Sequence, residues 1–292
     1  MNQGLKRRLV ASPIARRVSA AIALACALPL AACSSDHSPG GSSACSRQSL
    51  SGGALAGPNE YEFVLKVDVS GPVACTGVVV ADDMILLAAH CLADVDLTKV
   101  SVSLRRGTFG DECAFVGSDC TPKPARAFVN QEADLAVLEV DAKIAAPSAG
   151  FPQILVNGHF ASFQFAAFGN GDYYADEYVC ATTYGEHLTH AEFRVDWQDD
   201  VRFAAFAAQS GPAVCSGDSG GPALLMREES TLVVGLLSES AAAPNSECTP
   251  RDGIQRWTRV GANIDWIESM TRTCSRATTP DGYLIADCAL TN

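Results

Sequence analysis

The folded part of this chain reads as an all-β protein, a sandwich or a barrel. Three observations lead there. Short apolar or alternating runs recur from about residue 61 to residue 260, and their length suits strands better than helices. Turn residues break them up, drawn from 24 glycines and 14 prolines. A 48% hydrophobic and 18% charged composition then supplies a core for one or two compact domains. The expected strands are 61–69, 77–80, 84–87, 100–104, 125–129, 135–140, 161–168, 178–183, 192–197, 201–207, 222–225, 231–237 and 255–260. One helix is expected near the end, capped by Asn263, with Ile264, Trp266 and Ile267 as its apolar side. No internal repeat of fixed period is visible.

Residues 1–32 read as a leader rather than as fold. Lys6, Arg7, Arg8, Arg16 and Arg17 form a basic start, and an apolar, Ala-rich stretch follows from Val18 to Ala32. It closes as Leu30-Ala31-Ala32-Cys33, which resembles a bacterial lipobox, with Cys33 as the acylated new N-terminus. An ordinary secretory cut near Ala32 is the alternative. Either route exports the mature chain, as a lipoprotein of a bacterial envelope (outer membrane favoured) or as a secreted protein. Residues 33–58 are rich in Ser, Gly, Ala and Pro and are expected to be a flexible tether or propeptide.

Cysteine usage and charge agree with export. Of 12 cysteines, Cys26 lies in the leader and Cys33 at its end, which leaves ten for bridges in an oxidising compartment. The first 33 residues hold five of the 21 basic residues and none of the 33 acidic ones, so the remainder carries a formal charge of −17. Such a chain does not suit nucleic acid, and charge would not draw it to anionic lipid. Membrane attachment would rest on the lipid. His187 and His190 stand three apart without evident acidic or cysteine partners, so neither a metal nor another cofactor is expected.

The strongest local signal is Cys215-Ser216-Gly217-Asp218-Ser219-Gly220-Gly221-Pro222. A nucleophilic serine needs exposure on a tight turn, a nearby base, and backbone N–H donors for the developing oxyanion. Glycines 217, 220 and 221 permit such a turn. This string resembles the nucleophile motif of the trypsin/chymotrypsin family of serine proteases. Upstream, Leu87-Ala88-Ala89-His90-Cys91 resembles the family's histidine motif. Ala133-Asp134-Leu135-Ala136-Val137-Leu138 resembles its aspartate motif. His90 precedes Asp134 by 44 residues and Asp134 precedes Ser219 by 85, in the family's order. The likeness runs from about Leu50 to Ser269.

That resemblance implies two antiparallel six-stranded β-barrels with a C-terminal helix. They would occupy residues 59–273 and divide near residues 145–155, with residues 274–292 as a stapled extension. It implies His90, Asp134 and Ser219 as the catalytic triad, and the N–H groups of Gly217 and Ser219 as the oxyanion hole. Ala213, Val214, Ser216, Ser238, Glu239 and Ser240 would line the substrate pocket, with Ser238 also supporting Asp134. It further implies the bridges Cys75–Cys91 and Cys215–Cys248. Cys113 and Cys120 are close neighbours expected to pair locally, and Cys274 with Cys288 would staple the extension. Cys45 and Cys180 remain as the last pair.

Departures from the family pattern narrow the expectation. Ala213 stands where trypsin-like enzymes carry the Asp that binds Lys or Arg, so cleavage after basic residues is not expected. Glu239 and Ser240 replace the usual Trp and Gly after Ser238. Gln255 or Arg256 would form the pocket floor. Either a small or apolar substrate residue follows, or an acidic one paired with Arg256. Leu50-Ser51-Gly52-Gly53 is placed to act as an inserted N-terminus pairing with Asp218, yet Ser49 offers no trypsin-type cut, and a plain Gly-rich tether is equally compatible. The expected function is a monomeric serine endopeptidase acting on protein or peptide substrates, held to a membrane by its lipid. The competing class is a catalytically silent, protease-like binding module of the envelope. A lipase is disfavoured, because its serine precedes its histidine in sequence.

Overall fold

The computed structural model describes residues 50, 53–57, 59–69, 74–93, 95, 102–106, 112–113, 123–169, 188–207, 212–228, 230–240 and 253–289. The chain divides into two units, Met1–Ser43 and Ala44–Asn292, and the first lies wholly outside the described residues. So do the leader, Cys33, Cys45, Cys120, Cys180, His187, Cys248 and the expected strand 178–183.

The second unit is built from two curled sheets. Strand β1 (Ala54–Leu55) belongs to the second of them. The first sheet contains β2 (Val64–Val69), β3 (Ala74–Ala81), β4 (Met84–Leu87), β5 (Val102–Arg106), β6 (Glu112–Cys113), β7 (Pro124–Asn130) and β8 (Leu135–Val140). Its order is β6-β5-β2-β3-β4-β8-β7, antiparallel throughout. The second sheet adds β9 (Gln153–Leu155), β10 (Ser162–Ala167), β11 (Thr189–Arg194), β12 (Trp197–Gln198), β13 (Arg202–Phe206), β14 (Pro222–Met226), β15 (Thr231–Ser240) and β16 (Ile254–Arg259). A last hairpin, β17 (Ser275–Thr278) and β18 (Leu284–Asp287), follows helix α1 (Ile264–Met270). The main path is β1-β11-β10-β14-β15-β16-β13-β12, with β9 lying between β15 and β18.

Two antiparallel barrels with a C-terminal helix is therefore the architecture, but six strands each is too simple. The second sheet gains β1 at one edge and the C-terminal hairpin at another. It also holds a parallel pair, Leu232 beside Gln153 and Val233 beside Ile154. Residues 50–57, expected within the tether, are partly built into the fold: Leu50 is fully buried and Ala54 pairs with His190. Asn263 does not cap α1 through its side chain. Its Nδ2 donates to Arg259 O at 3.0 Å instead, because a short 3-10 turn, Gly261–Asn263, already leads into the helix.

The central strands are buried on both faces, and this explains their unbroken apolar runs. Along β3, Val79 enters the core of the first sheet with Leu65, Ile85, Ala136 and Leu138. Its neighbours Val78 and Val80 face a layer between the sheets, with Leu86, Val137, Phe168, Leu224, Leu236 and Ile267. β15 alternates likewise, with Leu237 in the second core and Leu236 in the shared layer. That second core is aromatic: Trp257 stacks on Phe203 at 5.6 Å and meets Phe163 edge-on at 4.9 Å. Such pairs add about 0.5–1.5 kcal/mol each beyond their buried area.

Bridges join Cys75 to Cys91 and Cys274 to Cys288. Both cysteines of the second bridge belong to the shared layer, so the staple fastens the C-terminal hairpin to the centre of the domain. Replacing Cys274 and Cys288 together by serine is expected to remove about 3 kcal/mol, the entropic value for a loop of this size. Chemical denaturation of the double variant checks it.

Candidate active site

Every element of the site sits where a strand ends. His90 lies in a short 3-10 turn, Ala89–Leu92, directly after β4. The Cys75–Cys91 bridge ties that turn back to β3. Asp134 opens β8 with a φ of +51°, a left-handed conformation that Asp tolerates better than most residues. Ser219 lies in the turn between Cys215 and β14, and Ser238 lies near the end of β15 at a bulge in its pairing with β16.

Asp134 is the hub. Its Oδ1 accepts the backbone N–H of His90 at 2.9 Å, and its Oδ2 lies 2.9 Å from His90 Nδ1. An ionised carboxylate only accepts, so Nδ1 carries the hydrogen and Nε2 is left as the basic nitrogen. Ser238 Oγ donates to the same Oδ2 at 2.7 Å. Partial burial pushes the carboxyl upward. The hydrogen bonds from His90 and Ser238 outweigh it, and Asp134 is held below the usual carboxylate range. The loop that carries it is pinned from the other sheet, where Thr258 Oγ1 donates to Ala133 O at 2.6 Å.

The Ser219 turn is glycine-dependent. Gly220 has a φ of +80°, and a Cβ there would come within 2.3 Å of Thr76 O and 2.9 Å of Ala88 N. Among the described residues no hydrogen bond engages the N–H of Gly217 or of Ser219. Three neighbouring amides are tied: Asp218 N to Cys215 O at 3.1 Å, Gly220 N to Leu237 O at 2.9 Å, and Gly221 N to Asp218 O at 2.9 Å.

A cleft of about 190 Å³ opens over these groups. His90, Ser216, Gly217 and Ser219 line one side, and Ser238, Glu239 and Ser240 line the other. Ala213 and Val214, expected to line the pocket, are instead buried outside the described cleft lining. Val214 N–H donates to Gln255 Oε1 at 2.7 Å, and Gln255 is fully buried. Arg256, the alternative floor residue, does not line the described cleft and meets the cleft residue Glu239, at Oε2, at 3.2 Å. Successive residues of a strand face opposite sides, so Gln255 and Arg256 do not share this role. His190, expected to stand without an acidic neighbour, has Glu60 Oε2 at 3.9 Å and Tyr61 OH at 3.3 Å.

Asp218 is fully buried beneath the turn. Its Oδ2 accepts Cys215 N–H at 2.7 Å, while Oδ1 has no hydrogen-bond partner among the described residues. Oδ1 presses on the backbone at Gly169, where an added Cβ would lie 1.9 Å away. Leu50 N–H donates to Thr189 Oγ1 at 3.0 Å rather than to Asp218, so the expected ion pair is not made in the uncut chain. Cys215 is disulfide-bonded, with its partner outside the described residues.

Several contributors escaped the sequence reading. Thr76 is a single threonine in an apolar strand and Thr258 one in a mixed strand, and nothing local marks either.

Burial raises the Asp218 carboxyl well above its ordinary range, and the Cys215 N–H offsets only part of that. The folded chain then holds a proton that the unfolded chain has released, so stability falls as pH rises from the ordinary carboxylate value through the raised one. Asp218→Asn keeps an acceptor for Cys215 and is expected to raise the melting temperature at neutral pH. The gain should vanish below the ordinary carboxylate range, as thermal scans across pH would reveal.

A family model described as Trypsin matches residues 50–267, about three quarters of the chain.

Proposed function

Because the chain belongs to the trypsin family, and is thereby a serine protease of the chymotrypsin type, we propose that it is an endopeptidase with Ser219, His90 and Asp134 as its catalytic triad. One observation carries the reading. The Asp134 carboxylate is held between His90 and Ser238, at 2.9 and 2.7 Å, while His90 and Ser219 open onto the same cleft.

In this reading Ser219 Oγ attacks the substrate carbonyl carbon as His90 Nε2 takes its proton. Asp134 stabilises the resulting imidazolium. The oxygen that gains charge is received by the N–H groups of Gly217 and Ser219, neither of which has a partner among the described residues. Collapse breaks the C–N bond, and His90 protonates the leaving amine. Water then repeats the sequence on the acyl-enzyme, releasing the acid and restoring Ser219.

Substrate choice follows from what lies beneath the cleft. Ala213 brings no charge, and Gln255 adds a neutral amide under the segment that leads to Ser219. Arg256 is occupied by Glu239. A small or apolar residue before the cleaved bond is favoured over Lys or Arg, and over an acidic residue. Peptide-library cleavage reads this directly, and strong selection for Arg or Lys would refute it.

Activation and location belong to the same proposal. A cut before Leu50 would create an ammonium able to neutralise Asp218, whose Oδ1 is unpartnered. N-terminal sequencing of active protein should then begin at Leu50. Before that cut, acylated Cys33 would hold the chain to the bacterial envelope, and mass spectrometry of the uncut chain tests that modification.

Ser219→Ala should abolish fluorophosphonate labelling and lower kcat on the order of 10⁶-fold. Asp134→Asn should lower it about 10⁴-fold through the wrong His90 tautomer. A wild-type chain that takes up no label even when cut before Leu50 would favour the silent binding module instead.

A further inference from the structure

One buried threonine touches both residues whose free N–H groups face the chemistry. Thr76 lies on β3, opposite Lys66, and is fully buried. Its backbone N–H donates to Ser219 O at 2.9 Å. Its side-chain hydroxyl donates to Gly217 O at 3.2 Å. The same Oγ1 accepts Phe168 N–H at 2.9 Å. An amide can only donate, so the Phe168 contact fixes Oγ1 as acceptor there and directs its single hydrogen toward Gly217.

We propose that Thr76 is a positioning residue for oxyanion stabilisation, an inference that rests on the protease reading given above. The argument is one of degrees of freedom. Each carbonyl shares its planar peptide group with the next residue's N–H, so holding Gly217 O and Ser219 O fixes the peptide groups that leave these residues and limits how their own amides, on the other side of each Cα, can turn. Gly217 has a φ of +90° and no side chain of its own to restrain it. Without a hold from outside, its peptide groups have alternatives at little cost. Thr76 provides that hold from the first sheet, while Gly220 N–H bonded to Leu237 O provides one from the second. Phe168 completes the link, because Gly169 beside it packs directly on Asp218. The hydroxyl thus joins three segments: β3, the Ser219 turn, and the chain leaving β10. Donors aimed in advance at the site of developing charge are worth most when they need no rearrangement during reaction.

The test compares the full chain with its Thr76→Val and Thr76→Ser variants. Valine keeps the shape and burial but removes both hydroxyl bonds. Serine keeps the hydroxyl. Thr76→Val is expected to lower kcat on a peptide ester by about tenfold to a hundredfold, with KM changed less than about threefold. Its affinity for a peptide boronate, whose tetrahedral adduct needs the same two N–H donors, should fall by the factor lost in kcat/KM. Thr76→Ser should stay within about threefold of the wild type in all three measurements. If Thr76→Val does not accumulate folded, Thr76→Ala against Thr76→Ser gives the same comparison with less bulk at the site.

Three outcomes overturn the inference: folded Thr76→Val or Thr76→Ala with unchanged kcat/KM, a loss confined to KM, or a loss in Thr76→Ser as large as in Thr76→Val. Fluorophosphonate uptake at Ser219 separates this from failure of the wider reading. If the wild type is not labelled even when cut before Leu50, the protease reading falls and this inference with it. If wild type and variants are labelled at equal rates, only the role of Thr76 falls.

Discussion

The layer of apolar side chains between the two sheets is the constraint on which everything else depends. His90 and Asp134 are carried by the first sheet, Ser219 and Ser238 by the second. Neither bridge whose two cysteines are both described joins one group to the other. Their distances are set by Val78, Val80, Leu86 and Val137 on one side, packed against Phe168, Leu224 and Leu236 on the other. Interiors of this kind are close-packed and resist deformation. A contact as short as Ser238 to Asp134 can therefore be maintained between the two sheets.

Polar contacts then refine what packing positions. Thr258 reaches from β16 to Ala133, and Thr76 reaches from β3 to Gly217 and Ser219. Both cross the same boundary, in opposite directions, and both end on backbone carbonyls next to candidate site residues. Asp218 is the exception to this thrift. Its second oxygen is buried without a partner, an arrangement that natural interiors seldom tolerate without a reason. The turn above it is held by the amides of Asp218, Gly220 and Gly221.

Much of this was legible in the sequence, for identifiable reasons. Ser219, His90 and Asp134 announce themselves because each lies in a short string whose neighbours are needed locally: glycines for the turn, a cysteine after the histidine, an apolar strand after the aspartate. The central strands are equally readable, since burial on both faces leaves runs such as Leu135–Leu138 almost wholly apolar. Short elements such as β9 and β12 left no periodic trace. Contacts of Thr76, Thr258 and Gln255 arise only between segments far apart in sequence, so no window of residues contains them. The C-terminal hairpin did have a signal that went unread. Pro280-Asp281-Gly282 is a turn sequence, and Gly282 adopts the positive φ of +89° that such a turn asks of it.

That hairpin has a consequence for how the molecule comes into being. Cys274, Ala286 and Cys288 pack in the same layer as Val64 and Val78, more than 190 residues earlier in the chain. The centre of the domain is thus completed by the C-terminal hairpin. Contacts of such long range are slow to form, because the intervening chain must be ordered before they reward it. A partly synthesised chain holds His90 and Asp134 long before it can close the layer that fixes them against Ser219. The layer that holds these candidate residues in place closes only when the hairpin docks.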